Sequence, residues 1–486
     1  MTIQLARWEL RHVEVQTRMP FRYGIATLTR VPYLLVYADF LIDGMLVEGV
    51  AADVLPPKWF TKRPEMPLES EIREMLRVIR SAAAHAESLS AQPTVYRWWR
   101  ELYELQQSDM SLVDASGEAL PPLLTGFGVS LFERAAVDAM CRANATTWAI
   151  SLRSGLLGLD LGEIHPALRD ATPDQLLPTP TRRMHVRHTI GLADPLTLGD
   201  VPAGETLDDA LPQTLEQSVS AYQLTHFKIK LPSDPAEAVD RTLRVLSVAE
   251  QASGKPPRFT LDGNEAFATA AQFIDMWRDC LSNSRFAAAL QRGLIAVEQP
   301  LHRDVALCEA TRDELRTWAD APPLIIDESD AELTSLPIAL DRGYVGTSHK
   351  NCKGVLKGIA NGCLLEWRRR QPASGDRPPL LTGEDLMNLG PVALQQDLAV
   401  AATLGLQHVE RNGHHFVTGL RHLPPETQQD VMEHHDDLYR WSTADPPFPS
   451  LAIDGGQIAL DSVLASPFGY RCPLPREAFA PVDDAV

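Results

Sequence analysis

Eight short β-rich runs, separated mostly by helix-compatible sequence, occupy residues 184–409 and constrain the fold more than any other property of the chain. They lie at 184–190, 226–230, 258–261, 294–297, 324–326, 346–348, 380–381 and 407–409, with intervening stretches such as 236–252 and 268–282 suited to helices. Strand alternating with helix predicts a parallel sheet with helical crossovers. Eight such units, over a span near the roughly 250 residues of a (β/α)8 barrel, favour that closed form over a six-stranded open sheet. The runs share a structural period without a repeated sequence.

The part before the barrel reads differently. Residues 10–15 and 33–42 are β-rich, and Asp43-Gly44 leads into 46–50 as a hairpin turn and its return strand. Residues 68–107 and 127–143 read as helices, the second with Val129, Phe132, Ala136, Ala139 and Met140 at near-helical spacing. Strands followed by helices predict an α+β unit over 1–180. The polar, Pro-rich stretch 170–181 is the expected linker to a barrel over 181–424.

Charge and composition narrow the class. Lys plus Arg number 45 against 64 Asp plus Glu, a net charge of −19, which argues against a nucleic-acid or anionic-membrane partner. Hydrophobic residues at 44% and charged residues at 22% are globular values that exclude whole-chain disorder and fibrous folds. Arg7 and Glu9 interrupt the start too early for a signal peptide, and no uninterrupted apolar stretch approaches about 20 residues, so the expectation is a cytoplasmic, non-membrane protein. Six cysteines, none in a CxxC pair, suggest reduced and mostly buried thiols.

The ends of the barrel runs carry the chemistry. Five lead into Lys228-Ile229-Lys230, Asp262-Gly263-Asn264, Glu298-Gln299-Pro300, Asp327-Glu328-Ser329 and His349-Lys350-Asn351-Cys352-Lys353. In a barrel the C-terminal strand ends converge on one face. Asp262, Glu298 and Asp327 come from three successive runs, and three hard oxygen ligands on rigid elements suit Mg²⁺. Each alone would be a turn or cap residue. Lys228 and Lys230, two apart on a strand, share a face. At a separation of about 6 Å and an effective dielectric near 20, their repulsion of roughly 3 kcal/mol would depress a lysine by about two pKa units. That would bring Lys230 towards the roughly 7–8 range suited to a general base.

These motifs, KxK at 228–230, DxN at 262–264, EQP at 298–300, DES at 327–329 and KxxKG at 350–354, resemble the enolase superfamily in its mandelate racemase and muconate lactonizing branch, lysine-pair type. The segment Pro20 to Ala26 with Val47-Glu48-Gly49 is similar to that family's capping domain, Phe132 to Asp138 resembles its approach to the barrel, and Leu451 to Gly456 with Pro467-Phe468-Gly469 resembles its tail. The resemblance implies a (β/α)8-type barrel with an α+β capping domain built from the N-terminal segment and the tail 425–486. It implies Asp262, Glu298 and Asp327 as Mg²⁺ ligands, with Mn²⁺ as a substitute, and Lys230 and Lys350 as acid and base on opposite faces of a bound small-molecule carboxylate, assisted by Lys228. It also implies a homo-oligomer.

The implied activity is abstraction of the proton α to a carboxylate through an enediolate, chemistry in which a Lys base and Mg²⁺ are the general pattern of the superfamily. A racemase or epimerase is the first reading; a cycloisomerase or a dehydratase is the alternative, and a non-catalytic barrel that serves as a binding module is the reading from another class. Loops at 21–26 and 56–60 would cover the barrel mouth, placing Phe21, Tyr23 and Trp59 among candidate substrate contacts, with Asn264 of the DxN motif on the barrel side. Strand seven offers Glu384 and Asp385 in place of a histidine, and strand eight Glu410, each a candidate to contact substrate or orient the lysines. His349 is expected in packing or hydrogen bonding, and 433–437 on a solvated helix face. Apparent cap insertions near 85–123 and 150–180 are candidate partner surfaces.

Overall fold

The computed structural model describes residues 2–23, 26–371 and 377–482. Eight parallel strands form the barrel: β4 (Arg183–Ile190), β5 (His226–Lys230), β6 (Arg258–Asp262), β7 (Leu294–Glu298), β8 (Leu324–Ile326), β9 (Gly346–His349), β10 (Leu380–Gly383) and β11 (His408–Arg411). They pair in chain order, and β11 pairs back onto β4, so the sheet closes. All eight expected runs are present. The register sets Lys230 beside Asp262 and Asp262 beside Glu298, so these three side chains leave neighbouring strands at one height. Close strand packing is visible at Gly346, where a Cβ would fall 1.7 Å from the Leu380 carbonyl oxygen.

In front of the barrel mouth lies an antiparallel sheet of β1 (Ile3–Tyr23), β2 (Ala26–Ile42) and β3 (Met45–Val54), with Ala480–Pro481 of the tail paired on β1. The β2–β3 turn is the expected Asp43-Gly44, both at positive φ (49° and 81°), the combination that a two-residue turn between twisted strands needs. Beyond the β-rich run 10–15, β1 continues through a register irregularity between Gln16 and Phe21 and pairs with β2 to its tip. Gly24 and Ile25, within the expected 21–26 loop, lie outside the described residues, as does the side chain of Tyr23.

Helices α1 (Leu68–Ser88), α2 (Val95–Gln107) and α3 (Pro122–Ala143) cover this sheet. α3 is apolar almost all round because β2, β3, α1 and α2 surround it. Its closest approach is at Gly49, where a Cβ would meet the Ala135 carbonyl oxygen at 1.9 Å. Arg134 of α3 reaches β3, donating to the Ala52 carbonyl (2.8 Å) and pairing with Asp53 (2.9 Å).

The stretch 170–181 is not a loose linker. It contains the helix Pro173–Leu176, and Leu176 and Leu177 are buried beside the barrel helix Val355–Arg369. Those two apolar side chains within a polar segment are enough to dock it. Nor is 433–437 a wholly solvated face: His435 is fully buried, with Nδ1 2.9 Å from the Ser462 hydroxyl. The tail also reaches the barrel, where Gln457–Ala459 pairs antiparallel with β4. The six cysteines are unpaired, and all but Cys308 are buried. Among the described residues no helix is long and apolar enough to cross a membrane.

One contact ties the cap to the barrel directly behind the expected site. Fully buried Glu133 of α3 accepts from the backbone N–H groups of Val355 (3.0 Å) and Leu356 (2.7 Å), at the N-terminus of the helix that follows Lys350–Lys353. Burial pushes its carboxyl up to about 7, against the pull of those donors. Between its ordinary value of 4.5 and about 7 the folded protein keeps a proton that the unfolded chain has released, so this group erodes stability as pH rises through that window. Glu133→Gln is expected to remove up to about 1.4 kcal/mol per pH unit of that decline, read from urea melts at several pH values. Glu133→Ala, which leaves both N–H groups unpaired, is expected to lose about 2–4 kcal/mol.

Candidate active site

Side chains alternate along β5, so Phe227 and Ile229 pack outwards while Lys228 and Lys230 point into the barrel. Lys228 is 2% exposed, and its Nζ lies within hydrogen-bonding distance of four carboxylates: Glu384 at 2.8 Å, Asp262 and Glu298 at 3.0 Å, and Glu410 at 3.2 Å. Lys230 pairs with Asp262 at 2.7 Å. Across the mouth, Lys350 at the end of β9 pairs with Asp327 Oδ2 at 2.5 Å, and Lys353 holds the other oxygen of Asp327 at 2.8 Å. The Ser348 hydroxyl donates to Asp327 Oδ1 as well, at 2.6 Å.

The charges answer one another. Lys228 is not depressed by its lysine neighbour: burial alone would lower it, but Asp262, Glu298, Glu384 and Glu410 raise it well above the ordinary lysine value. Four carboxylates at contact distance outweigh one ammonium two residues away. Asp262 resists burial because Lys228 and Lys230 hold its carboxyl down at about 2. Asp327 is likewise held well below its usual range by Lys350 and Lys353, against the opposing effect of burial. Lys350 is raised by Asp327 against the cost of burial.

Glu298 is the exception. Burial pushes it well above the usual carboxylate range and Glu384 adds to this, against the pull of Lys228. Its Oε2 is buried without a hydrogen-bond partner. Glu328 is also raised, to about 7, by burial and by Asp327, Glu265 and Asp262.

A cavity opens between these groups and the cap. Lys228, Lys230, Lys350, Asp262, Asp327, Asn264, Asp385 and Glu410 line its barrel side, and Phe21 and Trp59 its cap side, so the expected groups stand around one space. Glu298 and Glu384 lie beneath it, both fully buried. Asn264, at φ 45°, donates its backbone N–H to Asp262 at 2.9 Å. Glu384 and Glu410 turn to Lys228. Asp385 instead accepts from the backbone of Asn388 and Asn412, each at 2.7 Å, and faces Arg411 at 3.6 Å, which makes it a loop brace. His349 is hydrogen-bonded to Asn351 at 2.9 Å, as expected for a side chain directed away from the mouth.

Three hard oxygen donors from β6, β7 and the end of β8, one carrying an unpartnered buried oxygen, fit a hard divalent cation. Among the described residues, no three Asp, Glu, His or Cys side chains form a ready metal cage, and the oxygens of Asp262 and Asp327 are turned to lysine ammonium groups. Asp262, Glu298 and Asp327 would hold such an ion once those ammonium groups give way.

Several residues of the site are not apparent from motifs. Arg187 of β4 is fully buried, pairs with Glu384, and donates to the Gly383 carbonyl at 2.9 Å. The β4 alternation that puts Arg187 and Thr189 on one face is its only sequence signal. Lys353 stands in the KxxKG motif without an evident task until its contact with Asp327 is seen. Arg303, Lys62 and Glu265 form a clamp between barrel and cap: Glu265 takes Arg303 Nε at 2.7 Å and Lys62 at 2.8 Å, and Arg303 donates to the Trp59 and Phe60 carbonyls at 3.0 and 2.7 Å.

No protein-family model and no curated protein matches the sequence. Solved structures match the fold over nearly the whole chain. A mandelate racemase/muconate lactonizing enzyme from Roseiflexus sp. is 16% identical, covering 97% of this chain and 99% of its own at a TM-score of 0.56. A dipeptide epimerase from Enterococcus faecalis V583 is 12% identical, covering 96% and 99% at 0.55. An enolase from Bradyrhizobium complexed with magnesium and mandelic acid is 12% identical, covering 96% and 98% at 0.52. The fold is that of the enolase superfamily, a closed eight-stranded parallel barrel with a separate antiparallel capping sheet, as the motifs led one to expect.

The unpartnered oxygen of Glu298 sets a test that needs no substrate. In EDTA at pH 8, Glu298→Gln is expected to melt no lower than the wild type, because burial and Glu384 already disfavour the charged form of this acid and Gln is its neutral isostere. In saturating Mg²⁺ the wild type is expected to gain about 2.7 kcal/mol at one hundred times the dissociation constant, and the variant less. An equal gain in both proteins would remove Glu298 from the cation site.

Proposed function

We propose that this chain is a Mg²⁺-dependent enzyme that removes the proton α to the carboxylate of a small molecule, with racemisation or epimerisation as the leading outcome. The observation that carries the reading is the placement of Lys230 and Lys350. They end β5 and β9, four strands apart in a closed barrel of eight, and so face each other across the cavity, with Asp262, Glu298 and Asp327 on the arc between them.

A proton beside a carboxylate is weakly acidic because its removal loads further negative charge onto the carboxylate oxygens. A divalent cation held by Asp262, Glu298 and Asp327 supplies positive charge where that density accumulates. The chain's own residues do the rest. Lys228, locked as an ammonium by Asp262, Glu298, Glu384 and Glu410, holds those four side chains in register. The cap closes over the cavity through Trp59 and Phe21 and limits water. One opposed lysine takes the proton from its face, and the other returns one from the opposite face, which inverts the α-carbon. Where the substrate carries a suitable leaving or acceptor group, the same first step leads to elimination or cycloisomerisation.

The structural neighbours whose names include racemase, epimerase and lactonizing enzyme support this range of chemistry by fold. The test is α-proton exchange in D₂O with Mg²⁺ over a library of chiral carboxylates. Lys230→Ala and Lys350→Ala are each expected to lose racemisation by roughly 10²–10⁴-fold while keeping exchange of one enantiomer, a different one in each variant. Exchange of both enantiomers surviving in both variants would overturn the two-lysine reading. A wild type that exchanges no carboxylate while binding one tightly would favour a binding module.

A further inference from the structure

Of the two opposed lysines, Lys350 meets an aromatic ring of the cap. Its Nζ lies 4.4 Å from the centroid of the Trp59 ring, over the indole face, while its other contact is Asp327. Both side chains are nearly buried, Trp59 at 7% and Lys350 at 3% exposure, and both line the cavity. A desolvated ammonium over an indole face is the strongest form of cation–π contact.

Trp59 is also held unusually firmly for a residue of a covering loop. Its own carbonyl and that of Phe60 are taken by Arg303, which Glu265 orients with two contacts at 2.7 and 2.8 Å. Lys62 adds a second tie, to Glu265 at 2.8 Å and to the Asn264 carbonyl at 2.7 Å. On the cap side, its ring packs edge-on against Phe60 at 4.8 Å, and Phe60 packs on Phe127 of α3 at 4.7 Å. Lys58, at φ 67°, is fixed by Glu71, which accepts its backbone N–H at 2.6 Å and its ammonium at 2.8 Å. The indole is therefore fixed relative to the barrel and is poorly suited to swing aside as a lid. Among the described residues no comparable aromatic face meets Lys230, which pairs with Asp262.

We propose that Trp59 is a positioning residue for Lys350, its indole face holding the ammonium on the cavity side of Asp327 so that this lysine serves its own face of the substrate. The catalytic consequence rests on the two-lysine reading above; the contact itself does not. It makes the two faces of the site unequal: Lys350 is set by Asp327 of the barrel and Trp59 of the cap together, whereas Lys230 is set by Asp262. Proton return from Lys350, in which an N–H bond breaks as the α-carbon gains its C–H bond, then depends on the cap being in place.

Two measurements on the full-length, Mg²⁺-loaded protein decide it. The first is the rate at which acetic anhydride labels Lys350 and Lys230, read by mass spectrometry of the digested protein. Trp59→Leu is expected to raise labelling of Lys350 about tenfold with Lys230 unchanged, and Trp59→Phe, which keeps a π face, is expected to stay within about twofold of wild type. Equal behaviour of the Leu and Phe variants, or a parallel rise at both lysines, would overturn the proposal by reducing Trp59 to a cover. The second measurement is enantiomer-resolved exchange in D₂O. Trp59→Leu is expected to slow exchange on the Lys350 face about tenfold and spare the Lys230 face, with rescue by Trp59→Phe, whereas equal loss on both faces would overturn it. A wild type without exchange on any carboxylate would defeat the functional reading and leave the labelling result to decide the contact.

Discussion

Buried like charges are the constraint around which this barrel is built. Asp262, Glu298, Glu384 and Glu410 approach one another inside a closed sheet, where water cannot screen them, and they stay together because the Lys228 ammonium lies within 3.2 Å of all four. Arg187 answers Glu384 from below, and Lys350 and Lys353 take Asp327 between them. The strand register then does the positioning. Because Lys230, Asp262 and Glu298 are cross-strand neighbours, any slip of β5, β6 or β7 would separate the charges that compensate one another. Glu298 is left with more negative charge around it than positive, and that imbalance is the feature of the site that asks for another cation.

The cap is more than a lid on this arrangement. Glu133 of α3 holds the N-terminus of the helix behind Lys350, and Trp59 meets Lys350 from the front, so the cap grips the same stretch of barrel from two sides. Arg303, Glu265 and Lys62 join the covering loop to the turn after β6, the strand that ends in Asp262. Cap position and lysine position are mechanically linked through short side-chain contacts. The net charge of −19 is that of the whole chain and does not describe this interior, where Lys228, Lys230, Lys350 and Lys353 each contact at least one buried carboxylate.

Much of the fold was legible because it rests on local signals. The eight β-rich runs, the Asp43-Gly44 turn and the placement of Asp262, Glu298 and Asp327 at strand ends follow from residue type, alternation and spacing, and the folded chain keeps all of them. That the stretch 170–181 is docked was not legible, because two leucines hold it on a helix far away in sequence. His435 looked solvated because its burial depends on Ser462 and the returning tail.

The sequence by itself determined which elements form and which residues stand at the barrel mouth, since both depend on periods of two and 3.6 residues and on order along the chain. Only the tertiary structure decided what those residues do to one another. The state of Lys228 turns on four carboxylates from four other strands or strand ends; Arg187 becomes part of the site through Glu384, almost two hundred positions later; and Trp59 reaches Lys350 from the opposite unit. Electrostatic energy falls off with distance in space and is indifferent to distance along the chain, so the charge pattern of the site exists only once the barrel has closed and the cap has settled on it.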